Sequence, residues 1–200
     1  GNPPCPAMMV MAMKWFKEEV WKGELPIRLG ELYWDVAMGR SIDNPEQDAY
    51  LEKMGYEIVH KAYPPYRCTD FTPYLVDLKK YNPDVIWWQG LNAAMVSRDA
   101  ARLGMVPPNP YFLSCLYSNF AGVSWPSSEG HIDTWYSVDC FTPMEEGAGV
   151  YPAITKYCDI TEKYWGIRRN TAEHSIQFGS DGNFEAWWMR EVIKRAIEAD

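Results

Sequence analysis

The sequence predicts an α/β domain: a doubly wound, mostly parallel sheet flanked by helices. Three observations predict it. Helical and strand-like patterning alternates from residue 8 to residue 117. The run "DVIWW" (84–88) is almost wholly apolar, as in strands covered on both faces. Glycine and proline punctuate most changes of element. Repeated strand–helix–strand order then implies right-handed crossovers and a parallel sheet between helical layers.

Residues 8–22 place Met9, Met13, Phe16 and Val20 at helical spacing, and Gly23 and Pro26 stop that helix. "IRLGELYW" (27–34) reads as a strand ending in the turn "DVAMGRS". The next helix opens with Asp43 or Asn44 as N-cap and Pro45 in its first turn, and Gly55 suits its end. "YEIVHKAY" (56–63) is a strand broken by "PPYRC". Asp70 or Thr72 then starts a helix carrying Leu75, Leu78 and Tyr81, which Asn82-Pro83 ends. "DVIWW" follows as a strand, 93–104 as a helix with a terminal glycine, and "PYFLSCLY" (110–117) as a strand. Residues 118–130 are rich in Gly, Ser and Pro and read as a loop or hinge, and 131–140 as a further strand. Helix-like segments near 150–165 and 183–198 finish the chain.

Composition narrows the function. The 200 residues are 47% hydrophobic and 15% aromatic, enough for a substantial core. The net charge of −8, with no Lys/Arg cluster, argues against nucleic acid, whose binding is driven mainly by cations. No apolar run approaches the ~18 residues of a membrane span. The opening "GNPPCPAMMVMAMKWFKEEVW" lacks a basic n-region and does not read as a signal peptide. Five widely spaced cysteines without a CxxC read mostly as buried thiols.

Catalytic motifs are weak. His60, His131 and His174 have no metal-binding spacing, although "HID" (131–133) would put a His and an Asp on one strand face. "GVSWP" (122–126) has proline where a nucleophile elbow needs its second glycine, and "GAG" (147–149) lacks the third glycine of a dinucleotide fingerprint. No enzyme activity, cofactor or metal is expected. The strand ends are more informative, because open parallel sheets bind ligands beyond the carboxyl ends of their strands. Asp35, Met38, Gln89, Leu91, Asn92, Leu116 and Tyr117 all fall there and are expected to form a ligand-facing edge.

The stretches "MKWFKEEVWKGELPIRLGELYWDVAMGRS", "YLEKMGYEIVHKAYPPYRCTDFTPYLVDLKKYNPDVIWW", "AARLGMVPPNPYFLS" and "SEGHIDTWYSV" carry a resemblance. In order and spacing the chain resembles the type I periplasmic solute-binding proteins, of the branched-chain amino acid and amide-binding branch. The closing "AWWMREVIKRAIEA" fits as well. Such proteins have two α/β lobes that close on a ligand by hinge motion. The resemblance implies that residues 8–130 form the second lobe and that 131–200 cross back toward the other. The chain would then be a fragment, pairing with a missing lobe or with another copy of itself.

The family's second-lobe ligand contacts match Met38, Leu91 and Leu116 here. Members that bind amino acids commonly place aromatics at the first two positions and a carboxylate at the third. A leucine cannot compensate a ligand's ammonium, and burying that charge unpaired costs several kcal/mol. The resemblance therefore implies an amide, an aromatic acid or another apolar solute, with Trp34, Trp88 or Tyr117 offering ring faces. It also implies a periplasmic or extracellular protein that docks on the membrane permease of an ABC importer. A ligand-sensing regulatory domain of the same fold is the alternative. Successive strand residues face opposite ways, so Trp87 is expected in the core and Trp88 leaning toward the cleft beside Gln89 and Leu91.

Overall fold

A computed structural model describes residues 5–91, 93–115, 127–138, 159 and 163. Helix α1 (Cys5–Trp15) runs into a π-helical turn at Phe16–Val20, which Trp21 ends by donating to the Phe16 carbonyl at 2.8 Å. The single helix expected over 8–22 is thus two segments with different hydrogen-bond periods. Five strands follow: β1 (Ile27–Tyr33), β2 (Tyr56–Ala62), β3 (Val85–Gln89), β4 (Tyr111–Cys115) and β5 (Tyr136–Val138). Between them lie α2 (Ala37–Arg40), α3 (Pro45–Lys53), α4 (Thr72–Lys79) and α5 (Ala93–Arg102).

All five strands pair in parallel in the order β2-β1-β3-β4-β5. The chain leaves β1 for β2 on one side and returns past β1 to lay β3 on the other. That reversal makes the β1/β3 boundary the topological switch point of a doubly wound sheet. It also divides the helices between two faces. On one, α1 and α3 cover Leu29, Tyr33, Val85, Trp87 and Leu113; on the other, α4 and α5 cover Leu32, Ile86, Trp88 and Phe112. Burial on both faces explains why β3 has no exposed residue.

Local chemistry sets the helix boundaries. Asn44 is the N-cap of α3, its Oδ1 accepting the Gln47 N–H at 2.8 Å, with Pro45 in the first turn. Gly55, at φ +96°, ends the element. Asn44→Ala is expected to cost about 1 kcal/mol in urea unfolding, because it orphans that N–H. Helix α4 starts differently from expectation: Phe71 holds the cap position, and its N–H is taken by the buried Asp99 Oδ2 at 3.0 Å. The partner comes from α5, which no local signal reveals.

The strand expected over 131–140 is a correction. Residues His131–Thr134 form a 3-10 turn, and among the described residues of this stretch Tyr136–Val138 join the sheet. Gly130 enters the turn at φ +83°, Ser128 Oγ accepts the Ile132 N–H, and Thr134 Oγ1 donates to the His131 carbonyl. These local bonds outcompete strand pairing, so "HID" does not share one strand face. The helical segments expected near 150–165 and 183–198, and most of the 118–130 loop, lie outside the described residues. By compactness the chain divides into Gly1–Cys140 and Phe141–Asp200.

Candidate functional site

The carboxyl ends of β1 and β3 are tied together by the Trp34 N–H, which donates to the Gln89 carbonyl at 3.0 Å. The Asp35 N–H donates to the Pro64 carbonyl at 2.9 Å, anchoring the next turn. Met38 then rides on α2, partly exposed, and Leu91 stands out from the end of β3 with 42% of its surface exposed. Asp35 and Leu91 are thus exposed, and Met38 half-buried against the core, on the edge where ligands of such sheets sit. Asn92, Leu116 and Tyr117 lie outside the described residues.

Three of the expected site residues lie beneath this edge. Trp34 packs against Tyr66 at 4.9 Å and against Trp88 at 6.3 Å between ring centroids, and Trp88 meets Phe71 edge-on at 5.4 Å. Trp88 has no exposed surface, so it does not lean out of the core as its place near the strand end suggests. Its ring curls under the backbone: a Cβ at Gly90 would lie 2.2 Å from it. Among the described residues, the Trp34 and Trp88 indole nitrogens and the Ser114 hydroxyl are buried without hydrogen-bond partners. Gln89 is also buried, its Oε1 accepting the Trp87 indole N–H at 3.3 Å on the opposite face.

The α2 turn tolerates no side chain at Gly39, where a Cβ would lie 2.0 Å from the Trp34 carbonyl oxygen. That oxygen also accepts the Val36 N–H at 2.8 Å, so the backbone has little room to yield. Gly39→Ala is expected to cost about 1–3 kcal/mol by thermal unfolding, with the change in amide shifts centred on residues 34–40.

Behind the turn is a charged cluster that the sequence reading passed over. Lys61 Nζ donates to Asp43 Oδ1 at 2.9 Å and to both Asp48 oxygens at 2.9 and 2.8 Å. It also lies 3.1 Å from Oε2 of Glu31, which has no exposed surface. Lys61 and Tyr33 are close enough to Glu31 to soften its charge, yet neither carboxylate oxygen receives a well-aligned hydrogen bond. Burial pushes the Glu31 carboxyl up to about 7, outweighing the Lys61 charge. Asp43 also accepts from Tyr63 at 3.0 Å and Arg40 at 3.2 Å, and Arg40 reaches Asp35 at 3.0 Å. The Arg40 guanidinium lies 3.6 Å from the centre of the Tyr63 ring. A signal for this cluster was present: Glu31 is an acid set between the apolar Leu29, Leu32 and Tyr33 of a strand.

No family model and no curated protein matches the sequence. Solved structures do match. An ABC transporter substrate-binding protein from Aeropyrum pernix aligns over 82% of this chain and 42% of its own, with a TM-score of 0.69 and 17% identity. The chain has the fold of a type I periplasmic-binding-protein lobe. A fatty acid ABC transporter substrate-binding protein from Thermomonospora curvata aligns over 88% of this chain and 44% of its own (TM-score 0.67, 18% identity). The leucine-binding protein LivK from Thermotoga maritima aligns over 90% and 47% (TM-score 0.65, 18% identity). The chain therefore spans less than half the length of these structures. Among its described residues no helix is long and apolar enough to cross a membrane.

Proposed function

We propose that this chain supplies one lobe of an extracytoplasmic solute-binding component of an ABC-type importer. A small organic ligand would sit at the carboxyl edge of the sheet, in a cleft completed by a second lobe. Trp34, Asp35, Met38, Trp88, Gln89, Leu91, Asn92, Leu116 and Tyr117 would form or support that edge, with residues 8–130 as the lobe, β5 joining its sheet, and the rest of 131–200 returning toward its partner. The protein would not be an enzyme: the ligand stabilises a closed state, which docks on a membrane permease from the periplasmic or extracellular side. The observation that carries this reading is the fold likeness to ABC transporter substrate-binding proteins, joined to a switch-point edge that presents Met38 and Leu91.

The same edge argues for a ligand other than a simple α-amino acid. Its described carboxylate, Asp35, already pairs with Arg40 at 3.0 Å, so it offers no uncompensated charge to an ammonium. Met38 and Leu91 offer apolar contact instead. The names of the similar structures include both a leucine-binding and a fatty-acid protein, so the fold leaves ligand class to these side chains.

Thermal unfolding of the chain with aliphatic amides, aromatic acids, a fatty acid, leucine and valine tests this. A ligand at 100 times its Kd stabilises by about 2.7 kcal/mol. A rise in Tm with an amide, aromatic acid or fatty acid is expected. A rise with leucine or valine alone overturns the ligand class, and a flat panel counts against solute binding by this chain.

A further inference from the structure

Glu31 lies in the central part of the sheet, fully buried, on the face covered by α1 and α3. Its ionisable and charged neighbours come from several elements. Strand β2 supplies Lys61, α3 supplies Asp48, the α2–α3 link supplies Asp43, and β1 itself supplies Tyr33. Helix α1 contributes apolar Met9, which the Tyr33 hydroxyl meets at 4.0 Å, and β3 contributes Trp87, in register with Glu31. Among the described residues, Lys61 is the one cation shared by these three carboxylates.

The geometry points to Glu31 as a proton-controlled lock on the segment 36–44. When Glu31 is neutral, Lys61 is left to Asp43 and Asp48, and Asp43 holds the segment against β2. When Glu31 gives its proton to water, it competes for Lys61, and the added negative charge repels Asp48 and Asp43.

An ammonium has only three N–H donors. The Asp43 oxygen and the two Asp48 oxygens already engage them, while the Glu31 contact is poorly aligned. Like charges sharing one site cannot all be satisfied, so a new carboxylate must loosen an existing contact. Asp43 gives Lys61 one oxygen where Asp48 gives two, and it passes the tether to Arg40, which in turn holds Asp35. Met38 and Gly39 lie between those anchors. Burial and the Asp48 charge both raise the Glu31 pKa, and Lys61 lowers it, to a net value of about 7. The lock therefore holds below neutral pH and releases above it. Its consequence for ligand capture rests on the proposed reading of the carboxyl edge, but the lock itself is testable without a ligand.

Backbone amide spectra and 15N relaxation of the full chain, followed from about pH 5.5 to about pH 8.5, test it. The amides of Met38, Gly39 and Asp43 are expected to titrate with a shared midpoint near pH 7 and to lose order above it. In Glu31→Gln the midpoint should vanish and the segment stay ordered throughout. A midpoint that survives in Glu31→Gln overturns the proposal. Unchanged order across the range in the wild type overturns it as well. Asp48→Asn decides the matter if Glu31→Gln fails to fold: with one repelling charge removed, the midpoint should move down, and an unmoved or raised midpoint overturns the lock. A flat solute panel would leave this result standing, and a failed lock would leave the solute reading standing.

Discussion

Trp87→Ala and Trp88→Ala are each expected to cost about 3–5 kcal/mol in denaturant unfolding. Neither side chain has any exposed surface, and each fills a different core. Trp87 packs under α1 and α3, and Trp88 under α4 and α5 with Phe71 and Trp34 around it. Each ring removes on the order of 200 Å² from water, and rigid strands on either side cannot collapse into the space it leaves. Trp88→Phe separates packing from polarity. It keeps most of the volume and deletes an indole N–H that has no partner among the described residues, so it should recover most of the loss. If Trp88→Ala were as stable as wild type, the second core described above would be wrong.

Lys61→Met is expected to cost about 3–5 kcal/mol at about pH 8, because it leaves a buried carboxylate and its neighbours without their shared cation. The sign with pH follows from Glu31. Its folded value of about 7 exceeds the ordinary 4.5, so the native state binds the proton more tightly than the unfolded chain. That contribution to stability is complete below about pH 4.5 and is lost as pH rises through about 7. Lys61 lowers the Glu31 value, so removing it should push the carboxyl higher and extend the window upward. The substitution Lys61→Met should therefore be least damaging near pH 5, where Glu31 already holds its proton. The residual loss there belongs to Asp43 and Asp48. The double variant Glu31→Gln/Lys61→Met should regain stability at about pH 8 relative to the single one, and no recovery would mean that Glu31 is not the buried charge at issue.

The elements up to residue 115 were largely legible in the sequence. The apolar run of β3, the Asn44-Pro45 start of α3 and the glycine at its end are short-range signals, and each appears at its expected place. The candidate edge was legible in part. Asp35, Met38 and Leu91 do stand at strand ends on an open edge, because strand order in chain and space obey the same crossover rule. The position of Trp88 near its strand end did not reveal that Gly90 would close over its ring. The strand expected at 131–140 gave way to a turn because Ser128 and Thr134 bond to nearby backbone groups, a competition that alternation of residue types cannot register.

What the sequence alone determined is the inventory: helices and strands in alternation, the two-faced apolar β3, and the caps that bound α3. These depend on residues within a turn or two of one another, and such interactions are written in the order of the chain. Only the tertiary structure decided that β3 pairs with β1 rather than with β2, that Asp99 closes the start of α4, and that Glu31, Asp43 and Asp48 share one lysine. The physical reason is that burial and charge coupling belong to the assembled layers. Glu31 costs nothing unusual as a residue in water; its titration moves up to about 7 only when it is buried in the assembled layers.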